Sequence, residues 1–246
     1  LLPTIEIGPL VIPSAGLVYI LGIWLALTAA EKAAARLELN VAATYGVAVT
    51  TLATGFIAAR LAFVALHWNA YQQNLLGIVW PLTSGYSLPA GLLFGIAGGF
   101  FYGRAKQLPA ARTLDALAPS LITLLMTVSL ADFLAGPGYG LRADLPWSID
   151  LFGVRRHPVQ LYELLGGFLA LAGWWLARRS PQPFPGRLFL VSTTIYGSTR
   201  LVTDAFRANA WLSTDGYHLL QIISLLAVLL SLLLLAYLSP PSVAEQ

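Results

Sequence analysis

Two short runs hold most of the groups that could do chemistry. In the first, Arg156 and His157 stand before Pro158, and Gln160, Tyr162 and Glu163 follow. Proline suits the first turn of a helix, so Gln160 and Glu163, three residues apart, project from one face where a helix begins. In the second run, Arg200, Asp204 and Arg207 are four and three residues apart and share one helical face. Guanidinium groups bind carboxylates and phosphates through paired, charge-assisted hydrogen bonds. The triplet can be a local ion pair that lets a helix enter an apolar medium, or a cationic site for a lipid phosphate with Asp204 orienting the guanidinium. Arg60 has no acid within a helical turn, so its partner comes from another helix, a headgroup or water. Candidates for catalysis are Arg200, Asp204, His157 and Glu163. Candidates for holding a lipid headgroup are Arg60, Arg156, Gln160, Tyr162, Arg200 and Arg207.

The elements that must position these groups follow from composition. Of 246 residues, 57% are hydrophobic and only 10% charged, against about a quarter charged in soluble domains, so a soluble enzyme is excluded. Cysteine is absent and the three histidines are far apart, which argues against disulfides, thiolate chemistry and a metal site built on paired histidines. Crossing a bilayer takes about 20 largely apolar residues. Seven stretches fit: 10–30, 41–66, 87–103, 114–134, 159–177, 188–205 and 219–238. The expectation is one all-α transmembrane domain over residues 1–246. The third stretch carries Gly91, Gly95, Gly98 and Gly99, a small-residue face on which another helix can pack closely.

Basic residues orient the spans. Lys32, Arg36, Arg104, Lys106, Arg112, Arg178, Arg179 and Arg187 fall on one side, and Arg142, Arg155, Arg156 and Arg207 on the other. The positive-inside rule then puts the N-terminus out and the C-terminus in. Trp68, Trp80, Trp147 and Trp211 at outer ends, with Trp174 and Trp175 at an inner end, read as interfacial anchors. The scattered basic residues fit topology, not nucleic acid. The longest outer segments, 68–86 and 135–158, are of a length that carries function or lies on the membrane surface.

The run Arg156-His157-Pro158-Val159-Gln160-Leu161-Tyr162-Glu163 resembles the H-P-[ST]-Q-L-Y-E motif of the prolipoprotein diacylglyceryl transferases. Tyr196-Gly197-Ser198-Thr199-Arg200, with Asp204 and Arg207, is similar to that family's Y-G-x-x-R-x-x-x-E-x-x-R stretch, and Gln221 with Ser224 to its Q-x-x-S. Ile7 to Leu10, Ala59-Arg60-Leu61 and Asp115 to Pro119 also fit. The resemblance implies seven spans with an outer N-terminus in the bacterial cytoplasmic membrane. It also implies a reaction in which a lipobox cysteine thiol of a preprotein attacks phosphatidylglycerol, takes the diacylglyceryl group and releases glycerol phosphate, with no cofactor.

Departures from the family pattern fall at its centre. The G-R-x-G-N-F-x-N-x-E signature meets Val128 to Pro137, so Ser129 stands at the arginine, Asp132 and Ala135 at the asparagines and Pro137 at the glutamate. The family's H-G-G meets Pro89-Ala90-Gly91, and its early tyrosine meets Ala15. Replacing a phosphate-binding arginine and adding a carboxylate nearby is expected to repel an anionic headgroup. The sequence alone therefore favours a non-catalytic, lipid-binding scaffold or accessory subunit, with a phosphatidylglycerol-like lipid and other membrane subunits as partners. The alternative is an active transferase with an altered site, whose further partner is the lipobox preprotein. Arg200 and Asp204 are expected to pair.

Overall fold

The computed structural model describes residues 4–8, 10–73, 75–79, 85–151, 153–181 and 184–239. In chain order the elements are β1 (Thr4–Ile7), β2 (Leu10–Pro13), α1 (Ser14–Arg36), α2 (Val41–Leu66), the short α3 (Trp68–Tyr71) and α4 (Leu76–Val79), and α5 (Leu88–Ala105). They continue with α6 (Ala110–Ala135), β3 (Ile149–Leu151), β4 (Val154–Arg156), α7 (Val159–Arg179), α8 (Arg187–Thr203), a 3-10 turn at Asp204–Phe206, and α9 (Leu219–Leu238). Every stretch read as a span contains a helix. By length and composition α1, α2, α6, α7 and α9 can each cross a membrane. The remaining two are shorter, α5 at 18 residues and rich in glycine, and α8 at 17 residues with Arg200 in its last turn. Large apolar side chains such as Leu93, Ile96 and Phe101 of α5 and Leu226, Leu230 and Leu233 of α9 point away from the protein, as lipid-facing residues do.

The all-α expectation needs one amendment. β1 pairs with β2 and β3 with β4 as antiparallel two-stranded hairpins. The first span accordingly starts at Ser14, not at residue 10, because β2 occupies Leu10–Pro13.

The chain forms two compact units, Ala30–Thr113 and Leu1–Ala29 with Leu114–Gln246. In the first, α2 packs along α5 at the small-residue face. A Cβ on Gly95 would lie 2.9 Å from the Thr51 carbonyl oxygen, and one on Gly55 2.9 Å from that of Gly91. The two backbones are in direct contact, which only glycine permits. Arg60, buried on α2, binds the segment that follows. Its Nε donates to the Ile78 carbonyl (2.8 Å), Nη1 to that of Gly85 (3.0 Å) and Nη2 to that of Gly77, while the Tyr71 and Tyr86 rings flank the guanidinium at 5.3 and 5.7 Å. Its partners are thus the backbone carbonyls of α4 and Gly85, and aromatic rings.

In the second unit α8 packs against both α7 and α9. Asp115 of α6 fixes the start of α8, its Oδ2 accepting from Gly186 N (2.7 Å) and its Oδ1 from Phe189 N (2.8 Å). A carboxylate there satisfies orphan amides and complements the helix dipole. Trp174 corrects the anchor reading. It is 3% exposed, and its indole Nε1 donates to the Asp115 carbonyl (2.8 Å). Trp68, Trp147 and Trp211 are exposed, as is Trp175, whose ring carries Arg179 at 3.3 Å; Trp80 lies outside the described residues.

Three substitutions probe these supports. Gly95→Leu should destabilise the Ala30–Thr113 unit by about 1–3 kcal/mol or more through overpacking. Gly103→Ala, whose Cβ would meet Val47 at 3.5 Å, should be tolerated. Asp115→Ala should cost about 1–3 kcal/mol through two stranded amides. Thermal unfolding in detergent measures all three.

Candidate active site

In the second unit, the start of α7, the end of α8, the C-terminal part of α6 and the start of α9 meet around buried charges. Glu163 is their centre. It sits one turn into α7, 2% exposed, and its Oε1 accepts from both Arg200 Nη1 and Arg207 Nη2, the latter at 2.5 Å. Its other oxygen, Oε2, accepts from Ser129 Oγ at 2.7 Å. A carboxylate so placed is tolerable only because two guanidiniums and a hydroxyl take its lone pairs.

The expected ion pair within the second run is present, Arg200 Nη2 lying 4.0 Å from Asp204 Oδ1, and the shorter bond of Arg200 runs to Glu163 on another helix. The three residues do not share one helical face. α8 ends at Thr203, Asp204 opens a 3-10 turn, and Arg207 is extended. Its backbone forms an antiparallel bridge with Gly140, which aims the side chain back at Glu163. Arg200 therefore lies in a last turn, not at mid-span.

Asp204, 0% exposed, has a second partner that sequence reasoning missed. His218, the N-cap residue of α9, places Nδ1 3.0 Å from Asp204 Oδ2. Gln221, one turn later, donates to the Leu201 carbonyl (3.0 Å) and ties α9 to the end of α8. No local spacing announces a contact between residues 204 and 218, because an irregular loop makes it.

The remaining candidates line the adjoining loop. Arg156 Nη1 donates to the Gly140 carbonyl (3.2 Å), and its guanidinium lies 4.7 Å from the Tyr139 ring. Gln160 Nε2 donates to the Pro137 carbonyl (3.0 Å). Tyr162 accepts from Trp147 Nε1 (2.8 Å) and lies 3.3 Å from His157 Nδ1, whose ring packs on Phe206 at 4.8 Å. Asp132 is within electrostatic reach of Arg207, Glu163, Arg200 and Tyr19. Gly138 has a φ of +71°, and a Cβ there would sit 2.8 Å from both Asp132 Oδ2 and Arg207 Nη1, so glycine is required for conformation and for space. Arg60 belongs to the other unit.

Several buried polar atoms here have no hydrogen-bond partner among the described residues: Arg156 Nε, Gln160 Oε1, Asp204 Oδ1 and Arg207 Nε. Buried polar atoms are rarely left so unless they face water or a ligand. With Arg156, Arg200 and Arg207 against Asp132, Glu163 and Asp204, the group carries guanidiniums and carboxylates in equal number. It offers fixed N–H donors to an anion and an imidazole backed by a carboxylate.

Comparison with known proteins identifies the family of the chain. The model of the family "Prolipoprotein diacylglyceryl transferase" matches residues 3–237. The phosphatidylglycerol–prolipoprotein diacylglyceryl transferase of Clostridioides difficile (strain 630) is 26% identical over 224 residues, covering 91% of this chain and 90% of that protein. The protein of the same name from Finegoldia magna is 24% identical, covering 89% and 88%. That from Staphylococcus aureus (strain JH9) is 26% identical, covering 94% and 87%. A family match over nearly the whole length, on a multi-pass helical chain, has one reading: this protein belongs to the prolipoprotein diacylglyceryl transferase family.

Proposed function

We propose that the protein is an active phosphatidylglycerol–prolipoprotein diacylglyceryl transferase with an altered site. The relatives are named for that activity, and they favour it over the non-catalytic scaffold that the substitutions at Ser129, Asp132 and Pro89 suggested. The observation that carries the reading is the convergence of Arg200 and Arg207 on Glu163. Two guanidiniums are gathered at one buried point although the arginine expected at position 129 is a serine.

The chemistry asks for such a pair. In the proposed reaction the thiolate of the lipobox cysteine attacks the glyceryl carbon that carries the phosphate ester. A C–S bond forms, the C–O bond breaks, and glycerol phosphate leaves with the bonding electrons. The phosphate thereby goes from one negative charge to two, so donors fixed on it stabilise the transition state more than the ground state. Arg200 and Arg207 fill that role, with Arg156 and Gln160 holding the rest of the headgroup. Glu163 holds the two guanidiniums apart from solvent until the phosphate shares them, and Tyr162 and His157 form one wall. Arg60 serves instead to fold the segment after α2. The frame we propose is one seven-span domain in the bacterial cytoplasmic membrane, N-terminus out, with Arg178, Arg179 and Arg187 on the inner side.

The test is glycerol phosphate release by purified protein in phosphatidylglycerol vesicles with a lipobox peptide. Release by the wild type is expected, and Arg200→Ala or Arg207→Ala should lower it by about 100-fold or more. No release by the wild type would return the scaffold reading. Glu163→Ala should also cost up to about 3 kcal/mol of stability, because it leaves two largely shielded guanidiniums without their shared carboxylate. Ser129→Arg with Asp132→Asn should raise phosphatidylglycerol retention in native mass spectrometry, and unchanged retention would place the headgroup away from this centre.

A further inference from the structure

We infer that His218 is the general base that takes the proton from the lipobox thiol, and that Asp204 is its positioning residue. The inference rests on the transferase reading above and adds to it the group that generates the nucleophile. A thiol reacts as thiolate, so an enzyme of this kind needs a proton acceptor within reach of the sulfur.

Three histidines can be compared. His67 closes α2, where its Nδ1 lies 2.9 Å from the Phe63 carbonyl and its ring stacks on Phe63 at 4.2 Å, with no carboxylate bonded to it among the described residues. His157 meets the Tyr162 hydroxyl, which already accepts from Trp147. A neutral hydroxyl stabilises an imidazolium far less than a carboxylate does, and no carboxylate is hydrogen-bonded to His157 among the described residues. His218 differs from both. Its Nδ1 lies 3.0 Å from Asp204 Oδ2. An ionised carboxylate only accepts, so Nδ1 carries the proton and Nε2 keeps its lone pair. Asp204 is fully buried while His218 is 31% exposed, so the orienting acid is shielded and the imidazole edge stays accessible.

The placement fits the charge movement. Asp204 presents one oxygen to His218 and the other toward Arg200 at 4.0 Å, so the base and the proposed phosphate ligand flank one carboxylate. The thiol proton passes from sulfur to His218 Nε2, the thiolate attacks the glyceryl carbon, and glycerol phosphate departs as the C–O bond breaks. The imidazolium then releases its proton to the departing phosphate or to water. Atoms and charge balance, and no oxidant or further reactant is required. As the N-cap residue of α9, His218 is held by its backbone bridge to Leu212 and by its carbonyl, which accepts from Ile222 N at 3.1 Å, while Gln221 binds the Leu201 carbonyl one turn on.

The test compares His218→Gln with wild type in phosphatidylglycerol vesicles, using a lipobox peptide with cysteine and the same peptide with selenocysteine. A selenol is already ionised at neutral pH and does not need the base. With the cysteine peptide, His218→Gln should release glycerol phosphate about 100-fold more slowly or worse. With the selenocysteine peptide its rate should return to within about threefold of wild type. Asp204→Asn should behave the same way with a smaller defect, and lipid retention should not change in His218→Gln. A wild-type rate from His218→Gln on the cysteine peptide, or equal loss on both peptides, overturns the assignment, the second outcome making His218 a structural cap. If the wild type itself releases nothing from either peptide, the transferase reading falls first.

Discussion

A carboxylate at 2% exposure, one turn inside an apolar helix, dictates much of the second unit. Glu163 must be neutralised where it lies, and the two charges that do so arrive by different routes. Arg200 comes from the last turn of α8. Arg207 comes from an extended residue held by its bridge to Gly140. For both to reach one oxygen, α8 must stop at Thr203, the chain must turn at Asp204–Phe206, and the loop before β3 must lie against it, with Leu141 N donating to the Phe206 carbonyl at 2.8 Å. The hairpin β3–β4 continues that layer into α7 through His157 N, which donates to the Leu141 carbonyl at 3.0 Å. Loop structure and buried charge are thus two faces of one constraint.

Helix positions were legible in the sequence, because an apolar run of bilayer length has few other solutions. The glycine face of α5 was legible too, and α2 packs on it. What stayed hidden is tertiary. The four-residue spacing of Arg200 and Asp204 announced their ion pair, but spacing reports helical neighbours only. The acid that binds Arg200 most closely is 37 residues away. Trp174 looked like its exposed neighbour Trp175, and only packing against Asp115 separates them. The hairpins at the N-terminus and before α7 are too short to leave a two-residue period long enough to read.

The position that most suggested lost activity has a different meaning in the fold. Ser129 faces Glu163 Oε2, whose companion oxygen already accepts from two guanidiniums. A third guanidinium there would make the site more cationic, whereas a hydroxyl completes the carboxylate at no change in charge. Asp132 then balances Arg207, the two facing each other across Gly138, where a Cβ would lie 2.8 Å from Asp132 Oδ2 and from Arg207 Nη1. Serine and aspartate read singly as erosion; read with Glu163, Arg200 and Arg207 they form a neutral set.

Neutrality has a consequence for the proposed reaction. A strongly cationic pocket would bind the released glycerol phosphate, with its two charges, more tightly than the phosphatidylglycerol it came from, and would be slow to empty. A balanced pocket gains its extra positive charge only when His218 holds the thiol proton, which is also when the phosphate gains its second negative charge. Once the imidazolium gives that proton up, the site is neutral again and its hold on the leaving group weakens. In the proposed reaction the carboxylates among the arginines would thus favour turnover, since they keep attraction for the dianion confined to the interval in which the C–O bond breaks.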